Sequence, residues 1–416
     1  MESPPSLDLD FVRRQFPAFS HPNTRHWAHL ENAGGSYVPS QVIDKVTELF
    51  SFSKTQPGWD YAASKSAASS MDRSRRLLAA TLNADADEIH FGPSTSQNTY
   101  VLARALRHAW EAGDEIIVTN QDHEANVGAW RRLEETGIVV RQWSIDPVTG
   151  LLDVGDLSDL LSSRTRLVAV THASNVVATI NPVRQIADLV HAVGGLVVVD
   201  GVSYAPHSLV DVKALDCDIY LYSTYKTFGP HIGLMYTRRS LLDSIHHEGH
   251  YFNEPNVSTR LTPAGPDHAE IGASGGIVDY YDAVYSHHFG SGSDLSTIER
   301  LGKVFALFAD HEQQLMKPVV DFLVGRDDIT LVGSQSADHG VRAPTFGFYS
   351  SKVSSAEIYA ALIDAEVACG HGNFYAHRLV SALGLDPQDG VVRLSMVHYN
   401  TLDEIDRALQ TLNLFL

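Results

Sequence analysis

Two segments of this 416-residue chain end in side chains that could do chemistry together. Leu196–Asp200 is an aliphatic run that ends in a carboxylate, and Ile219–Tyr222 continues through Ser223 to a lysine, Lys226. If both runs are strands of a parallel sheet, their carboxyl ends lie at one edge, where the sites of such sheets form. A lysine amine can bond covalently to an aldehyde, and a carboxylate beside an aromatic nitrogen can keep that nitrogen protonated. The pair therefore predicts covalent chemistry at this edge.

Further polar side chains follow other strand-like segments. Thr95 and Ser96 follow Ile89–Phe91 at the start of a helical segment, where hydroxyl groups and free N–H groups suit a phosphate. His123 and Asn175 each follow another such segment, and they offer a flat imidazole and an amide donor. Each of these residues alone is more often a helix cap or a solvated side chain. Together with the lysine and the carboxylate, they predict a site for pyridoxal 5′-phosphate (PLP).

The elements that would position these residues alternate between strand and helix from about residue 85 to 240. Helical spacing is clear at Thr99–Ala109 and Val183–His191. The β-branched runs are Glu115–Thr119, Val139–Trp143, Leu167–Thr171, Leu196–Asp200, Ile219–Tyr222 and Ile232–Tyr236. Strands that alternate with helices predict an α/β fold, with a mainly parallel sheet covered by helices on both faces.

The pattern changes in the last third of the chain, where a smaller α+β domain is expected. Residues 240–290 are rich in His, Gly, Pro and Ser and predict loops around a helix near Ile277–Tyr285. The later segments are, in order, a helix at Leu295–Val324, strands at Thr330–Val332 and Thr345–Tyr349, a helix at Ala356–Ala365, a strand at Val391–Ser395 and a helix at Leu402–Leu412. A chain of this length exceeds the size of one hydrophobic core, so two domains are expected.

Composition excludes several classes of function. Acidic residues outnumber basic ones by 50 to 31, and the formal net charge of −19 disfavours nucleic acid or an anionic membrane as a partner. No segment approaches the roughly 20 apolar residues that span a bilayer, and the first 19 residues do not resemble a signal peptide. The two cysteines, Cys217 and Cys369, form no disulfide framework or metal pattern. We expect a cytoplasmic protein without a metal site.

Four segments together resemble a known family, the class V aminotransferase or cysteine desulfurase-like group of fold-type I PLP enzymes. They are Thr171–Pro182, Leu196–Ser203, Tyr222–Gly233 and Arg393–Asp406. The resemblance runs from Asn32 nearly to the C-terminus, and four motifs in order are far more specific than one. It implies the fold-type I PLP-dependent transferase fold. The large PLP-binding domain (25–290) would hold a mostly parallel seven-stranded sheet, and residues 1–24 and 291–416 would form the small α+β domain of a homodimer.

The resemblance also implies a role for each matching residue. Lys226 would be the Schiff-base lysine and carry a proton at Cα of an amino-acid substrate, Asp200 would pair with the pyridine nitrogen, and His123 would stack on the ring. The remaining cofactor contacts would be Asn175, Ser203, Tyr225, the phosphate ligands Thr95, Ser96 and Ser223, and Ser274 from the neighbouring subunit. The predicted substrate contacts are Arg393, Asn32 and His371, of which Arg393 would grip a carboxylate.

Three departures from the family pattern bear on the site and its reaction. Tyr225 stands where desulfurases have a histidine, and Ser203 stands where they have a glutamine. Desulfurases carry a nucleophilic cysteine after the histidine that matches His371, whereas Cys369 here precedes Gly370. A persulfide relay is therefore not expected.

The leading hypothesis is a C–S lyase that eliminates a leaving group from Cβ without a persulfide. The alternatives are an aminotransferase, an epimerase or a carbon–carbon bond-forming cyclase of secondary metabolism, and a non-catalytic PLP-binding scaffold. Loops such as His247–Pro266 and Gly370–Tyr375 are expected to discriminate between substrates.

Overall fold

The computed structural model describes residues 5–291 and 294–416, so residues 1–4 and 292–293 of the predicted small-domain segments lie outside the described residues. The strands are β1 (Ala28–His29), β2 (Ile89–Gly92), β3 (Glu115–Thr119), β4 (Val139–Trp143), β5 (Thr165–Thr171), β6 (Leu196–Asp200), β7 (Ile219–Ser223), β8 (Gly233–Thr237), β9 (Ile329–Leu331), β10 (Thr345–Ser350), β11 (Val367–Ala368), β12 (Gly370–Gly372) and β13 (Val391–Ser395). The α-helices are α1 (Leu9–Arg14), α2 (Ser40–Phe52), α3 (Ala62–Ala80), α4 (Thr95–Arg107), α5 (Gly128–Arg131), α6 (Val154–Leu160), α7 (Val183–Ala192), α8 (Val212–Leu215), α9 (Arg239–Leu242), α10 (His268–Ser274), α11 (Gly276–Phe289), α12 (Thr297–Val324), α13 (Ser355–Asp364), α14 (His377–Ala382) and α15 (Leu402–Phe415).

The large sheet has seven strands in the order β2-β8-β7-β6-β5-β3-β4. Only β8 runs antiparallel to its neighbours β2 and β7, and the other pairs in this sheet are parallel. Thr171 pairs with Asp200, and Asp200 pairs with Leu221, so the carboxyl ends of β5, β6 and β7 lie side by side. The predicted mostly parallel sheet and the α/β fold class are confirmed.

The central strands of the sheet are buried on both faces, which explains why β5 and β6 are nearly continuous apolar runs. Successive side chains point to opposite faces, so Val197 and Val199 join one hydrophobic cluster and Val198 joins another. Burying each of these valines contributes roughly 1.5–3 kcal/mol. This two-sided core holds the carboxyl-end edge of the sheet in place.

A second, smaller sheet is antiparallel and has the order β12-β13-β10-β9. It packs against α12, α13 and α15 around buried residues such as Phe346 and Leu394. The short strand β1 pairs in parallel with β11 beside this sheet. The α+β character expected for the last third of the chain is therefore present.

The two hydrophobic cores do not correspond to two continuous stretches of the chain. Val12 and Phe16 pack in the core of the large sheet, whereas Ala28 and Leu30 pack in the core of the small one. The domain boundaries given above stay a prediction, and this distribution places the N-terminal crossing between residues 16 and 28. Among the described residues, no helix combines the length and the apolar character needed to cross a bilayer.

Candidate active site

A cavity of about 420 Å³ opens where β5, β6 and β7 end and α4 begins. Nine of the predicted site residues line it, namely Thr95, Ser96, His123, Asn175, Asp200, Ser203, Ser223, Tyr225 and Lys226. The walls also contain residues that the sequence did not single out, including Tyr100, Thr171 and His231. The topology therefore brings together nine predicted residues that lie up to 131 residues apart in the sequence, from Thr95 to Lys226.

Lys226 ends a 3₁₀ turn, Thr224–Lys226, directly after β7. Its side chain is buried, and loss of solvation together with the nearby Arg393 charge lowers the pKa of Lys226 to about 8. The carboxylates of Asp200 and Glu31 oppose this shift. A lowered pKa increases the fraction of neutral amine, which is the nucleophilic form.

Asp200 is the last residue of β6 and is 4% exposed. Its Oδ1 accepts a hydrogen bond of 2.9 Å from the Val202 N–H. Burial raises the pKa of Asp200, and the charge of Lys226 counteracts part of that shift. Within residues 5–291 and 294–416, no cation forms a salt bridge with this carboxylate. A buried carboxylate of this kind is stabilised by a cationic partner, and such a partner fits in the cavity.

His123 is held by the turn that follows β3. Its Nδ1 accepts a 3.0 Å hydrogen bond from the Ala125 N–H, so the neutral ring carries its proton on Nε2. Burial, with the charges of Lys226 and Arg393, lowers the pKa of His123 to about 4. The cavity therefore presents a neutral, flat imidazole that is suited to stacking on an aromatic ring.

The start of α4 forms a group of hydroxyl donors. Ser94 caps the helix by accepting a hydrogen bond from Gln97, and Thr95 Oγ1 lies 2.7 Å from Ser223 Oγ. Gly233 of β8 lies against this turn, where a Cβ atom would lie 2.6 Å from the Thr95 nitrogen. The glycine at this position thus lets β8 approach the start of α4 closely. Hydroxyls and free N–H groups at a helix N-terminus bind phosphate well.

A strained loop closes one side of the cavity. Phe374 and Tyr375 have φ angles of 50° and 60°, which L-residues rarely adopt and which cost about 1–3 kcal/mol each. Asn175 Nδ2 donates to the Phe374 carbonyl at 2.9 Å, and the Glu124 N–H donates to the Tyr375 carbonyl at 2.8 Å. Tyr375 consequently lies beside His123, with 5.3 Å between their ring centroids.

Tyr225 stacks on His231, which the sequence interpretation missed. Their ring centroids are 4.4 Å apart, the planes differ by 4°, and both side chains line the cavity. The signal for His231 is its place in a tight Gly-Pro-His-Ile-Gly turn five residues after Lys226. Tyr225 stands where desulfurases of the family have a histidine, and its ring is held in place by stacking on a second aromatic ring.

The sequence of this chain is similar to those of known proteins, and the family to which they point is consistent with the geometry of the cavity. Residues 28–408 match the family described as Aminotransferase class-V. The chain belongs to this family. It is 36% identical over 99% of its length to the aminotransferase-like protein FGM3 of Gibberella zeae, of which it covers 99%. It is 31% identical over 96% of its length to the cysteine desulfurase-like protein ustD of Aspergillus flavus, of which it covers 88%.

Solved structures show the same fold. The apo cysteine desulfurase of Thermococcus onnurineus NA1 superposes with a TM-score of 0.83 at 24% identity, over 100% of this chain and 99% of that one. The cysteine desulfurase CsdA of Escherichia coli gives a TM-score of 0.81 at 23% identity, over 99% and 100% of the two chains. The predicted fold-type I architecture is confirmed.

The family is PLP-dependent, and the cavity fits this cofactor. Lys226 is placed to provide the amine for its aldehyde, and Asp200 is placed to provide the anionic partner that a protonated ring nitrogen would need. The hydroxyls of Thr95, Ser96 and Ser223 suit its phosphate. His123 offers a neutral ring for stacking. The protein is thus a PLP-dependent enzyme of the class-V family.

Arg393 does not line the cavity but lies behind Phe374. The Phe374 ring centroid is 3.9 Å from the guanidinium carbon. Arg393 Nη2 donates to Glu31 Oε1 at 2.6 Å, and Nη1 donates to the Asn175 carbonyl at 3.3 Å. The arginine predicted to hold a substrate carboxylate is therefore already paired with a carboxylate of the protein.

Three residues predicted to contact the cofactor or the substrate do not line the cavity. Ser274 is fully buried in α10 and donates to the Ile271 carbonyl, and the contact predicted for it, with the phosphate of a neighbouring subunit, stays a prediction. Asn32 Nδ2 donates to the Ser395 carbonyl and its Oδ1 accepts from Tyr399, so it joins chain segments. His371 pairs with a neighbour of Arg393 in β13, and strand alternation turns it to the opposite face.

Neither cysteine of the chain lines the cavity. Cys369 lies between β11 and β12, where it packs in the core of the small sheet, and burial raises its pKa to about 12. Cys217 is fully buried beside the large sheet. By the resemblance described above, Gly372, Asn373 and Phe374 occupy the place of the nucleophilic cysteine of desulfurases.

One group of side chains in the described part of the chain has the spacing of metal ligands. His108, His246 and Glu248 have ligand atoms within 4.8 Å of one another. The two imidazoles stack with centroids 3.8 Å apart. None of the three lines the cavity, so they have no part in its chemistry.

A second cavity of about 500 Å³ adjoins the first. Tyr100 and His231 line both cavities. Its other walls include Phe91, Ile232 and the loop 261–267. All of this loop except Asp267 belongs to the segment His247–Pro266, which was predicted to discriminate between substrates.

Proposed function

We propose that the protein cleaves the Cβ–S bond of an S-substituted cysteine and does so without a protein persulfide. One water is consumed, and the products are a thiol, pyruvate and ammonia. The observation that carries this proposal is the position of Cys369, whose sulfur is buried in the core of the small sheet rather than in the cavity. Relatives named cysteine desulfurase, 29–31% identical, support a sulfur-containing amino acid as substrate.

PLP, when bound, would supply an aldehyde for the substrate amine and a ring that can accept electron density from Cα. Lys226, once its amine is free, takes the proton from Cα and returns it to the departing sulfur. Its lowered pKa near 8 suits both transfers at neutral pH. Asp200 holds the proton on the ring nitrogen, because its buried carboxylate gains a cationic partner in this way.

The remaining cavity residues bind the cofactor and exclude water. Thr95, Ser96 and Ser223 hold the phosphate at the start of α4, and His123 covers the ring. Asn175 has a buried Oδ1 that makes no hydrogen bond within the described residues, so the amide has an oxygen still to satisfy in the cavity. Tyr375 and its strained loop keep water from one side.

The test is to incubate the PLP-loaded protein with L-cystine and a panel of S-alkyl cysteines, and to quantify pyruvate, thiol and alanine. Pyruvate and thiol in equal amounts are the expected result with the S-alkyl cysteines, and pyruvate with thiocysteine is the expected result with L-cystine. The matched control is the α-methyl analogue of each substrate, which binds but has no Cα proton to lose. Alanine with protein-bound sulfur would contradict the proposal.

An aminotransferase is the second candidate, because the 36% identical relative is named aminotransferase-like. The same residues would act up to the loss of the Cα proton. Turnover would then require an added 2-oxo acid, and the amino donor would keep its Cβ substituent. Product analysis with and without pyruvate as acceptor separates the two reactions.

We also propose that two copies of the chain associate. The end of α2 and the segment that follows it expose large apolar side chains, among them Phe52 at 77% and Trp59 at 65%. Apolar groups clustered in this way mark association surfaces. Light scattering of the wild type and of Phe52→Asp tests this, with the variant expected to shift towards the monomer.

A further inference from the structure

The Glu31–Arg393 pair is the observation from which we start. Arg393 is 2% exposed and is held on two further sides, by the Phe374 ring and by the Asn175 carbonyl. Glu31 approaches from the remaining side, with 2.6 Å between Oε1 and Nη2. A guanidinium edge that binds one carboxylate cannot bind a second one in the same place.

Glu31 is the movable member of this pair. Its side chain is 27% exposed, compared with 3% for the side chain of Arg393. Its other oxygen, Oε2, is buried and has no hydrogen-bond partner in the part of the chain that the structure describes. A buried carboxylate oxygen without a donor is unfavourable, so the glutamate is bound through one oxygen only. Arg393, in contrast, is fixed by its packing.

We propose that Glu31 is a resident competitor for Arg393, which the carboxylate of the substrate must displace. Glu31 thereby sets how strongly the site distinguishes an amino acid from an amine without a carboxylate. This inference rests on the proposed function only in taking an amino acid as substrate. If Glu31 only held Arg393 in position, removing the charge of Glu31 would weaken amino-acid binding, which is the opposite of the effect proposed here.

The exchange is consistent with the charges around Lys226. The Glu31 carboxylate and the Arg393 guanidinium both act on the Lys226 amine, with opposite signs. An incoming substrate carboxylate replaces the charge of Glu31 on Arg393 as Glu31 turns outward. The net charge facing Lys226 is therefore preserved during the exchange.

The experiment measures binding rather than turnover. PLP-loaded protein is titrated with 2-aminoisobutyrate, which has no Cα proton, and with isopropylamine, which is the same molecule without the carboxylate. The absorbance of the bound cofactor reports each Kd. Glu31→Gln keeps a carbonyl oxygen that can accept from Arg393 but removes the competing charge.

Glu31→Gln is expected to lower the Kd for 2-aminoisobutyrate about tenfold, as when a site that is free one tenth of the time becomes fully available. The Kd for isopropylamine is expected to stay within about twofold. Arg393→Gln is expected to abolish the preference for the amino acid. Glu124→Gln, which removes another carboxylate near the cavity that does not contact Arg393, is expected to leave that preference unchanged.

A raised or unchanged Kd for 2-aminoisobutyrate in Glu31→Gln would overturn the proposal, as would an equal change for both ligands. Because this titration measures binding and not product formation, its result is independent of the elimination reaction. Tighter binding in Glu31→Gln together with no pyruvate from any S-substituted cysteine would refute the proposed function alone.

Discussion

Replacing Cys369 by alanine tests whether this protein works without a sulfur nucleophile. We expect the rate of product formation to stay within about twofold of the wild type. The reason is the environment of the thiol, which packs among the apolar residues of the small sheet and does not face the cavity.

The structure gives the size of the effect. Burial raises the pKa of Cys369 to about 12, and the nearby charge of Glu31 acts in the same direction. At pH 7 the thiolate fraction is then on the order of one in 100,000, because each unit of pKa changes it tenfold. A thiolate this rare and this buried makes a poor nucleophile. The substitution costs roughly 1 kcal/mol of folding free energy for the small cavity that it leaves.

The assay compares initial rates with an S-alkyl cysteine in the wild type, Cys369→Ala and Cys217→Ala. Cys217 is the matched control, since its thiol is also buried and lies beside the other core. Thermal unfolding of each variant separates a loss of stability from a loss of activity. Intact-mass spectrometry after turnover shows whether the protein carries added sulfur.

A thousandfold loss of rate in Cys369→Ala, with Cys217→Ala unaffected, would refute this reasoning. So would an added mass of one sulfur atom on the wild type that disappears in the variant. Either result would mean that the strained loop opens far enough to bring Cys369 into the cavity.

The other predictions concern the cofactor site and its buried charges. Asp200→Asn is expected to lower kcat about a hundredfold or more while PLP stays bound, because a preorganised charge is lost; equal kcat would show that the ring nitrogen needs no anion. Gly233→Ala is expected to destabilise the protein by about 1–3 kcal/mol and to weaken PLP binding, since the new Cβ meets the start of α4; Gly302→Ala, in open space on α12, is the control and is expected to be neutral or stabilising. Without PLP, burial holds the pKa of Lys226 near 8, below its unfolded value of 10.5. The folded state therefore binds fewer protons between these values, and stability rises with pH across this window by on the order of 3 kcal/mol. Lys226→Met should lack this contribution, and denaturant unfolding of both apo proteins at pH 7, 8, 9 and 10 measures the difference.

The sequence was sufficient for the centre of the site because that centre is built from strand ends. Asp200 follows the aliphatic run Leu196–Val199 and Lys226 comes after the apolar run Ile219–Tyr222, and the rule that parallel strands share one functional edge places them together. The same reasoning located His123 and Asn175. In each case the local sequence pattern and the neighbouring strand place the side chain at the same edge of the sheet.

Residues whose position depends on distant packing were predicted less well. The run around Ser274 was interpreted as a phosphate-binding segment, which stays a prediction, and the sequence did not show that its glycines lie in close helix packing. A Cβ on Gly272 would lie 2.8 Å from the Leu49 side chain, and a Cβ on Gly276 would lie 2.7 Å from the Gln41 carbonyl. Small residues look alike in both roles when only the sequence is known.

The pairing of Glu31 with Arg393 could not be predicted either. The two residues are 362 positions apart, and they meet because Glu31 follows β1, which pairs with β11 beside the small sheet. The sequence pattern predicted neither of these two-residue strands. His371 was misplaced for a related reason, since the face that it occupies follows from the unpredicted strand β12.

The helix α12 has a consequence for how the chain folds as a whole. Its first half packs in the core of the large sheet through residues such as Val304 and Phe308, and its second half packs in the core of the small sheet through Leu315 and Leu323. If either core loses its packing, part of α12 unfolds, and the other core packs against the same helix. Cooperativity is thus built into one continuous segment, so the two cores melt together rather than one after the other.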